Sequence, residues 1–191
     1  MVNIALPEPL NPLRSPHRKL APVTSQTISF DSDAQGWKGV DRIEHHAAGG
    51  AKGGYITVSR SGGALPIALS PVKSPLAGDW PQVLGGRGAR LSCQVRSARS
   101  GGKVRVEIFA GDTAQWSHEL DATFTPQWTE AAASLRYGWS DAEAAEAGWV
   151  RSATGSSWSD TVTHVGKVVV SSGVMEKLER FDLDEVSVAG E

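Results

Sequence analysis

The chain has 191 residues, enough for one sandwich with its own core and too few for two comfortable domains. Hydrophobic residues make up 40% and charged residues 21%, an ordinary balance for a globular protein. A formal charge of −2 gives no electrostatic pull toward nucleic acid or an anionic membrane, so neither is expected as a partner.

Residues 1–25 differ in texture from the rest. Half of the ten prolines lie here: Pro7, Pro9, Pro12, Pro16 and Pro22. Each removes a backbone donor and fixes its own φ, so neither a helix nor a central strand can form, and an extended arm is expected. No continuous apolar run like that of a secretion signal occurs between Met1 and Leu20, and nothing approaches a membrane span. The expectation is synthesis in the cytoplasm without a Sec-type signal. Ile4, Leu6, Leu10, Leu13 and Leu20, with Arg14 and Arg18 between them, are anchors that a spacer would not need. They make the arm a candidate for docking on protein partners in a larger assembly, with a disordered tail as the alternative.

Residues 26–191 read as one all-β domain. Strands are expected over Gln26–Phe30, Gly54–Ser59, Arg90–Arg96, Lys103–Ala110, Gln115–Leu120, Thr129–Ser134, Val165–Ser171 and Arg180–Val188. In Val104-Arg105-Val106-Glu107-Ile108 the apolar residues share one face and the charges the other. Turn signals such as Ser100-Gly101-Gly102, Gly111-Asp112 and Ser172-Gly173 separate the segments. About eight or more short antiparallel strands indicate a sandwich or barrel, not a βαβ protein. One short surface helix is expected after Ser140, where Ser140 and Glu143 have capping-box spacing and Gly148 can end the turn.

The chemistry-bearing residues are sparse. Cys93, the single cysteine, sits in an apolar alternation and reads as a buried thiol; no intrachain disulfide is possible. Among the five histidines, His45 and His46 are adjacent and would point to opposite strand faces, so surface positions are expected rather than metal ligation. No nucleophile elbow, Walker loop or dinucleotide fingerprint occurs, and no particular carboxylate pair stands out. Seven tryptophans against two tyrosines and four phenylalanines are the unusual feature. Trp37 and Trp128 suit plugs at the edge of the core. Trp80, Trp139, Trp149 and Trp158 lie among Gly, Ser and Pro and are the candidate ligand-binding rings, because sugars present apolar CH faces to aromatic surfaces.

The run Ile28-Ser29-Phe30-Asp31-Ser32-Asp33-Ala34-Gln35-Gly36-Trp37 resembles the opening strand and turn of jelly-roll, carbohydrate-binding-like domains. Gly53-Gly54-Tyr55-Ile56 is similar to the glycine-rich start of their next strand, and Phe181-Asp182-Leu183-Asp184-Glu185-Val186-Ser187-Val188 to their closing strand. Gly85-Gly86 before Leu91, Trp128 before a strand, and Ser157 to Val170 resemble the laminin IV (laminin B) branch, although the cysteines common in extracellular members are missing. The resemblance implies a jelly-roll β-sandwich. It also implies a structural Ca²⁺, for which Asp31, Asp33, Asp182 and Asp184 are the candidate ligands. Solvated turn carboxylates are the alternative.

A non-enzymatic binding or structural module follows as the expected function. An arm, no leader and a fold that ordinarily works outside cells suit a bacteriophage virion component, a minor tail or capsid-decoration protein concerned with host attachment and built as a homo-oligomer. A free-standing carbohydrate-binding module is the alternative, and a jelly-roll glycoside hydrolase or lyase the second.

Overall fold

The computed structural model describes residues 25–40, 42–60, 66–172 and 178–191. In chain order the first half holds β1 (Ser25–Ile28), β2 (Lys38–Gly39), β3 (Arg42–His46), β4 (Tyr55–Ser59), β5 (Ile67–Leu69), α1 (Trp80–Leu84) and β6 (Gly88–Arg96). The second half holds β7 (Lys103–Ala110), β8 (Thr113–Thr123), β9 (Thr129–Arg136), α2 (Asp141–Glu146), β10 (Val150–Arg151), α3 (Trp158–Thr163), β11 (Lys167–Ser172) and β12 (Arg180–Gly190). Two antiparallel six-stranded sheets result. The first runs β3-β4-β12-β6-β9, with β1 also on β12, and the second runs β10-β8-β7-β11-β5-β2. This is the jelly-roll sandwich expected from the strand pattern.

The alternation read from the sequence is what closes the core. Val104, Val106 and Ile108 point inward and are buried, while Arg105 and Glu107 pair across the outer face at 3.1 Å. Facing them from the first sheet are Ile56, Val58, Leu91, Val95, Phe181 and Leu183, all buried. Cys93 lies among them, and burial, with a smaller push from Glu130, raises its thiol to about 12, so it stays protonated and inert.

The helix after Ser140 forms with the predicted reciprocal cap: the Ser140 hydroxyl accepts from the Glu143 N–H, and the Glu143 carboxylate accepts from the Ser140 N–H at 2.7 Å. The expectation of a single helix is corrected by α1 and α3. Both are too short to show a 3.6-residue period, yet each is capped, by Asp79 and Ser157 respectively, and each inserts a buried tryptophan into the core. The strands the sequence hid are β2, β3, β5 and β10. They have at most five residues each, and three of them lie at sheet edges, where little apolar alternation is required.

One irregularity positions the site. Along a single edge of β12, residues Arg180–Leu183 pair with β4, and Val186–Ala189 pair with β1. The handover is a bulge between Asp184 and Ser187, with Glu185 at φ +50, a conformation few side chains adopt without cost. The loop Gly49–Gly54 is tied to Asp184 of the bulge through the Lys52 N–H.

Candidate functional site

The four tryptophans proposed as ligand rings are placed otherwise by the fold. Trp80 and Trp158 are fully buried and Trp149 is 1% exposed; only Trp139 is half-buried. Trp158 is the hub of a cluster, with Trp116 edge-on at 5.3 Å, Trp149 at 5.2 Å and Trp139 at 5.7 Å. Its indole donates to the Arg136 carbonyl at 2.8 Å, and that of Trp80 to Leu76 at 2.8 Å. The assignment of Trp80, Trp149 and Trp158 as sugar platforms is therefore corrected. Glycine- and serine-rich surroundings suggested exposed loops, but α1 and α3 fold those loops against the end of the sandwich, where large rings fill the gap between the sheets.

The aspartates also divide. Asp31 accepts from the Gly54 N–H at 3.1 Å and from the Ser29 hydroxyl at 2.9 Å, and these donors hold its carboxyl below the usual range. Asp184 is 1% exposed and accepts from the N–H of Lys52 and of Glu185; burial pushes its carboxyl up, against the pull of those donors. Asp31 and Asp184 thus converge on one loop. A Cβ on Gly50 would come within 2.6 Å of Asp184 Oδ2, and one on Gly53 within 1.9 Å of Asp31 Oδ1. Only glycine lets the two carboxylates pack this closely on the loop backbone. Asp33 and Asp182 do not join this cradle. Asp33 accepts from the Gln35 N–H in a local turn, and Asp182 faces Arg96. Among the described residues no three His, Cys, Asp or Glu side chains are grouped to hold a metal. A Ca²⁺ here would rest on Asp31, Asp184 and the Gly53 and Gly54 carbonyls, oxygen donors of the right hardness that gather around Gly50 and Gly53. The proposed arm contacts Ile4, Leu6, Leu10, Leu13, Arg14 and Arg18 lie outside the described residues.

Beside the cradle, the outer face of the first sheet carries a cluster the sequence did not reveal. Cross-strand pairing sets His46 beside Tyr55, Thr57 beside Asp182, and Asp182 beside Arg96. Arg96 Nε donates to Asp182 at 2.7 Å, and the Thr57 hydroxyl donates to the other oxygen of Asp182 at 2.7 Å. With its single proton spent, Thr57 accepts from His46 Nε2 at 3.0 Å, which fixes the imidazole tautomer. His46 stacks on Tyr55 at 4.4 Å. The Arg96 guanidinium lies over Tyr55 at 4.8 Å and over Trp128 at 4.5 Å. Trp128 meets Tyr55 edge-on at 5.6 Å, and its indole donates to the Gly49 carbonyl at 3.3 Å. The sequence reading of Trp128 as a core-edge plug is corrected as well: it is half-buried on the outer surface, its indole tied to Gly49 of the cradle loop.

Next to this stack opens a hollow of about 300 Å³ lined by Arg96, Ser97, Pro126, Arg180 and Asp182. The outer face of the second sheet is different. Phe109 is almost buried beneath Lys167, and Ser117, Val169 and Ser171 are buried. Among the described residues that face offers no open aromatic ring. The adjacent histidines also depart from the expected surface positions: His45 bonds the Phe30 carbonyl at 2.6 Å, and both are half-buried.

No protein-family model matches the sequence. No curated protein matches it either. Solved structures do match in fold. The family 11 carbohydrate-binding module from Clostridium thermocellum, in complex with a beta-1,3-1,4-mixed-linked tetrasaccharide, aligns over 89% of this chain and 98% of its own, with a TM-score of 0.57 at 14% identity. The C-terminal family 22 carbohydrate-binding module of Clostridium thermocellum Xyn10B aligns over 86% and 92%, with a TM-score of 0.54 at 14% identity. An arabinose-bound α-L-arabinofuranosidase, MgGH51, shares the fold over 84% of this chain but 25% of its own, with a TM-score of 0.50 at 11% identity. The fold is therefore a jelly-roll β-sandwich, one that these carbohydrate-binding modules share.

Proposed function

We propose that the chain is a non-catalytic glycan-binding module that holds its ligand on the outer face of the first sheet, over Trp128 and across the hollow between Arg96 and Arg180. The observation that carries this reading is the outward-facing Tyr55–Arg96–Trp128 stack, the place where an aromatic surface, fixed polar groups and open space coincide. The two similar structures named as carbohydrate-binding modules support the ligand class. The carboxylates nearby are engaged in structure: Asp182 in an ion pair and Asp184 beneath the loop. That supports binding over acid–base catalysis.

Stacking of a sugar on an aromatic ring at a binding centre is commonly worth about 2 kcal/mol, close to thirtyfold in affinity. Titration calorimetry against a panel of plant and bacterial oligosaccharides should find a ligand whose affinity falls by about that factor in Trp128→Ala, with the melting temperature little changed. A ligand bound equally well by Trp128→Ala would place the site elsewhere. Within this proposal, Ca²⁺ in the Asp31–Asp184 cradle is structural, stiffening the loop on which Trp128 rests. The setting we propose is a particle-borne module, a phage tail or decoration protein held by its Pro-rich arm.

A further inference from the structure

We propose that this face selects an anionic glycan, one whose carboxylate or sulfate substituent is gripped between Arg96 and Arg180 while the adjoining ring lies on Trp128. The inference rests on the glycan-binding reading and adds the ligand's charge. It begins with what Arg96 has left to offer. Its Nε is spent on Asp182 at 2.7 Å, and its π face is occupied by Tyr55 and Trp128. Among the described residues no protein partner is shown for its Nη groups, whose four N–H donors belong to a side chain that lines the hollow.

Arg180 lies on the neighbouring strand, two residues before Asp182, and lines the same hollow. Its side chain has no ion pair or hydrogen bond among the described residues, and it is exposed. Its backbone is held, since the Ser97 hydroxyl donates to the Arg180 carbonyl at 2.9 Å and residues 180–183 are paired with β4. Two guanidinium groups therefore open on one hollow from anchored strands.

Charge settles the preference. Among the described residues the one carboxylate lining the hollow is Asp182, and both its oxygens are already engaged, by Arg96 and Thr57. Two arginines against one aspartate leave the described lining at +1 (2 − 1). An adjoining hollow shares Ser97, Ala98 and Arg180 and adds Arg99 and Glu179, one of each sign, so it does not reverse the balance. A neutral sugar hydroxyl can accept one of these N–H groups at a time, without charge assistance. An oxyanion takes up the paired N–H groups of a guanidinium in a two-point bond.

The test is calorimetry and affinity electrophoresis of the full chain with a galacturonic acid tetramer, a sulfated dextran, and neutral xylo- and cello-tetraose. Binding of the galacturonate or the sulfated probe is expected to exceed that of the neutral sugars by about tenfold or more and to weaken as NaCl rises from about 50 to about 500 mM. Arg180→Gln should lower that binding about tenfold with the melting temperature unchanged, and Arg180→Lys should restore part of it. Preference for one anionic probe over the other identifies the substituent within the proposal. Neutral sugars bound as well, lost in Trp128→Ala but indifferent to Arg180→Gln, would overturn the anionic preference and leave the glycan-binding reading standing. Anionic binding indifferent to both variants, or no binding of any sugar, would overturn both.

Discussion

Replacement of Trp158 by alanine separates a core tryptophan from a surface platform. The ring is fully buried, touches Trp116, Trp139 and Trp149, and donates to the Arg136 carbonyl. Removing it costs the transfer of a large ring plus a cavity, about 3–5 kcal/mol, and the stranded carbonyl adds about 1 kcal/mol. The sum, about 4–6 kcal/mol, is a large part of the ~5–15 kcal/mol that holds a domain folded. At about 2–4 °C per kcal/mol for a chain of this size, the melting temperature should drop by about 10–20 °C, with loss of near-ultraviolet circular dichroism from the tryptophan cluster. Were Trp158 an exposed ring, as its Ser-rich surroundings suggest, the change would stay within about 0.5 kcal/mol. Scanning calorimetry of parent and variant decides. A drop under about 3 °C would refute the packing described here.

The cradle predicts that Ca²⁺ at about a hundred times its dissociation constant adds about 2.7 kcal/mol, or roughly 5–10 °C, and that Asp31→Asn and Asp184→Asn abolish the gain; a melting curve unmoved by Ca²⁺ and by chelator would remove the ion from the account. In α2, the Ser140 backbone and hydroxyl donors hold Glu143 below its ordinary 4.5. A carboxylate so depressed contributes stability that is present above 4.5 and is lost as the pH falls through its lower folded value. The gap in melting temperature between parent and Glu143→Gln should therefore be steady near neutrality and close below about pH 4.5, whereas a gap independent of pH would deny the carboxylate its part in the cap. If the proposed particle setting holds, deleting residues 1–24 should leave a sandwich with a native melting profile that no longer joins the particle; loss of folding would place the arm in the core.

The body of the fold was legible because burial on one face forces a period of two. All eight expected strands are present, and Val104 to Ile108 show why: every second residue is packed between the sheets. The capping box of α2 was legible for a local reason, two side chains exchanging bonds with two backbone groups three residues apart. The proposed binding surface was not. Tyr55, Arg96, Trp128 and Asp182 come from four separate stretches and meet only through strand pairing and loop placement, which a single sequence does not display. The outward face of Tyr55 and Thr57 could have been read from the alternation of β4, but their partners could not. The tryptophans misled for a related reason: Gly- and Ser-rich context marks a loop, and a loop folded onto the end of a sandwich can bury its rings as completely as a strand does.

The ligand's seat can be read directly from the indole N–H signals of an isotope-labelled sample titrated with the galacturonic acid and xylose tetramers. The Trp128 signal, assigned through Trp128→Phe, should move with added sugar, accompanied by the Arg96 and Arg180 side chains, while the signals of Trp80, Trp116, Trp149 and Trp158 stay in place. Shifts gathered instead around Arg105, Glu107 and Ser117 on the opposite sheet, with Trp128 unmoved, would contradict the placement.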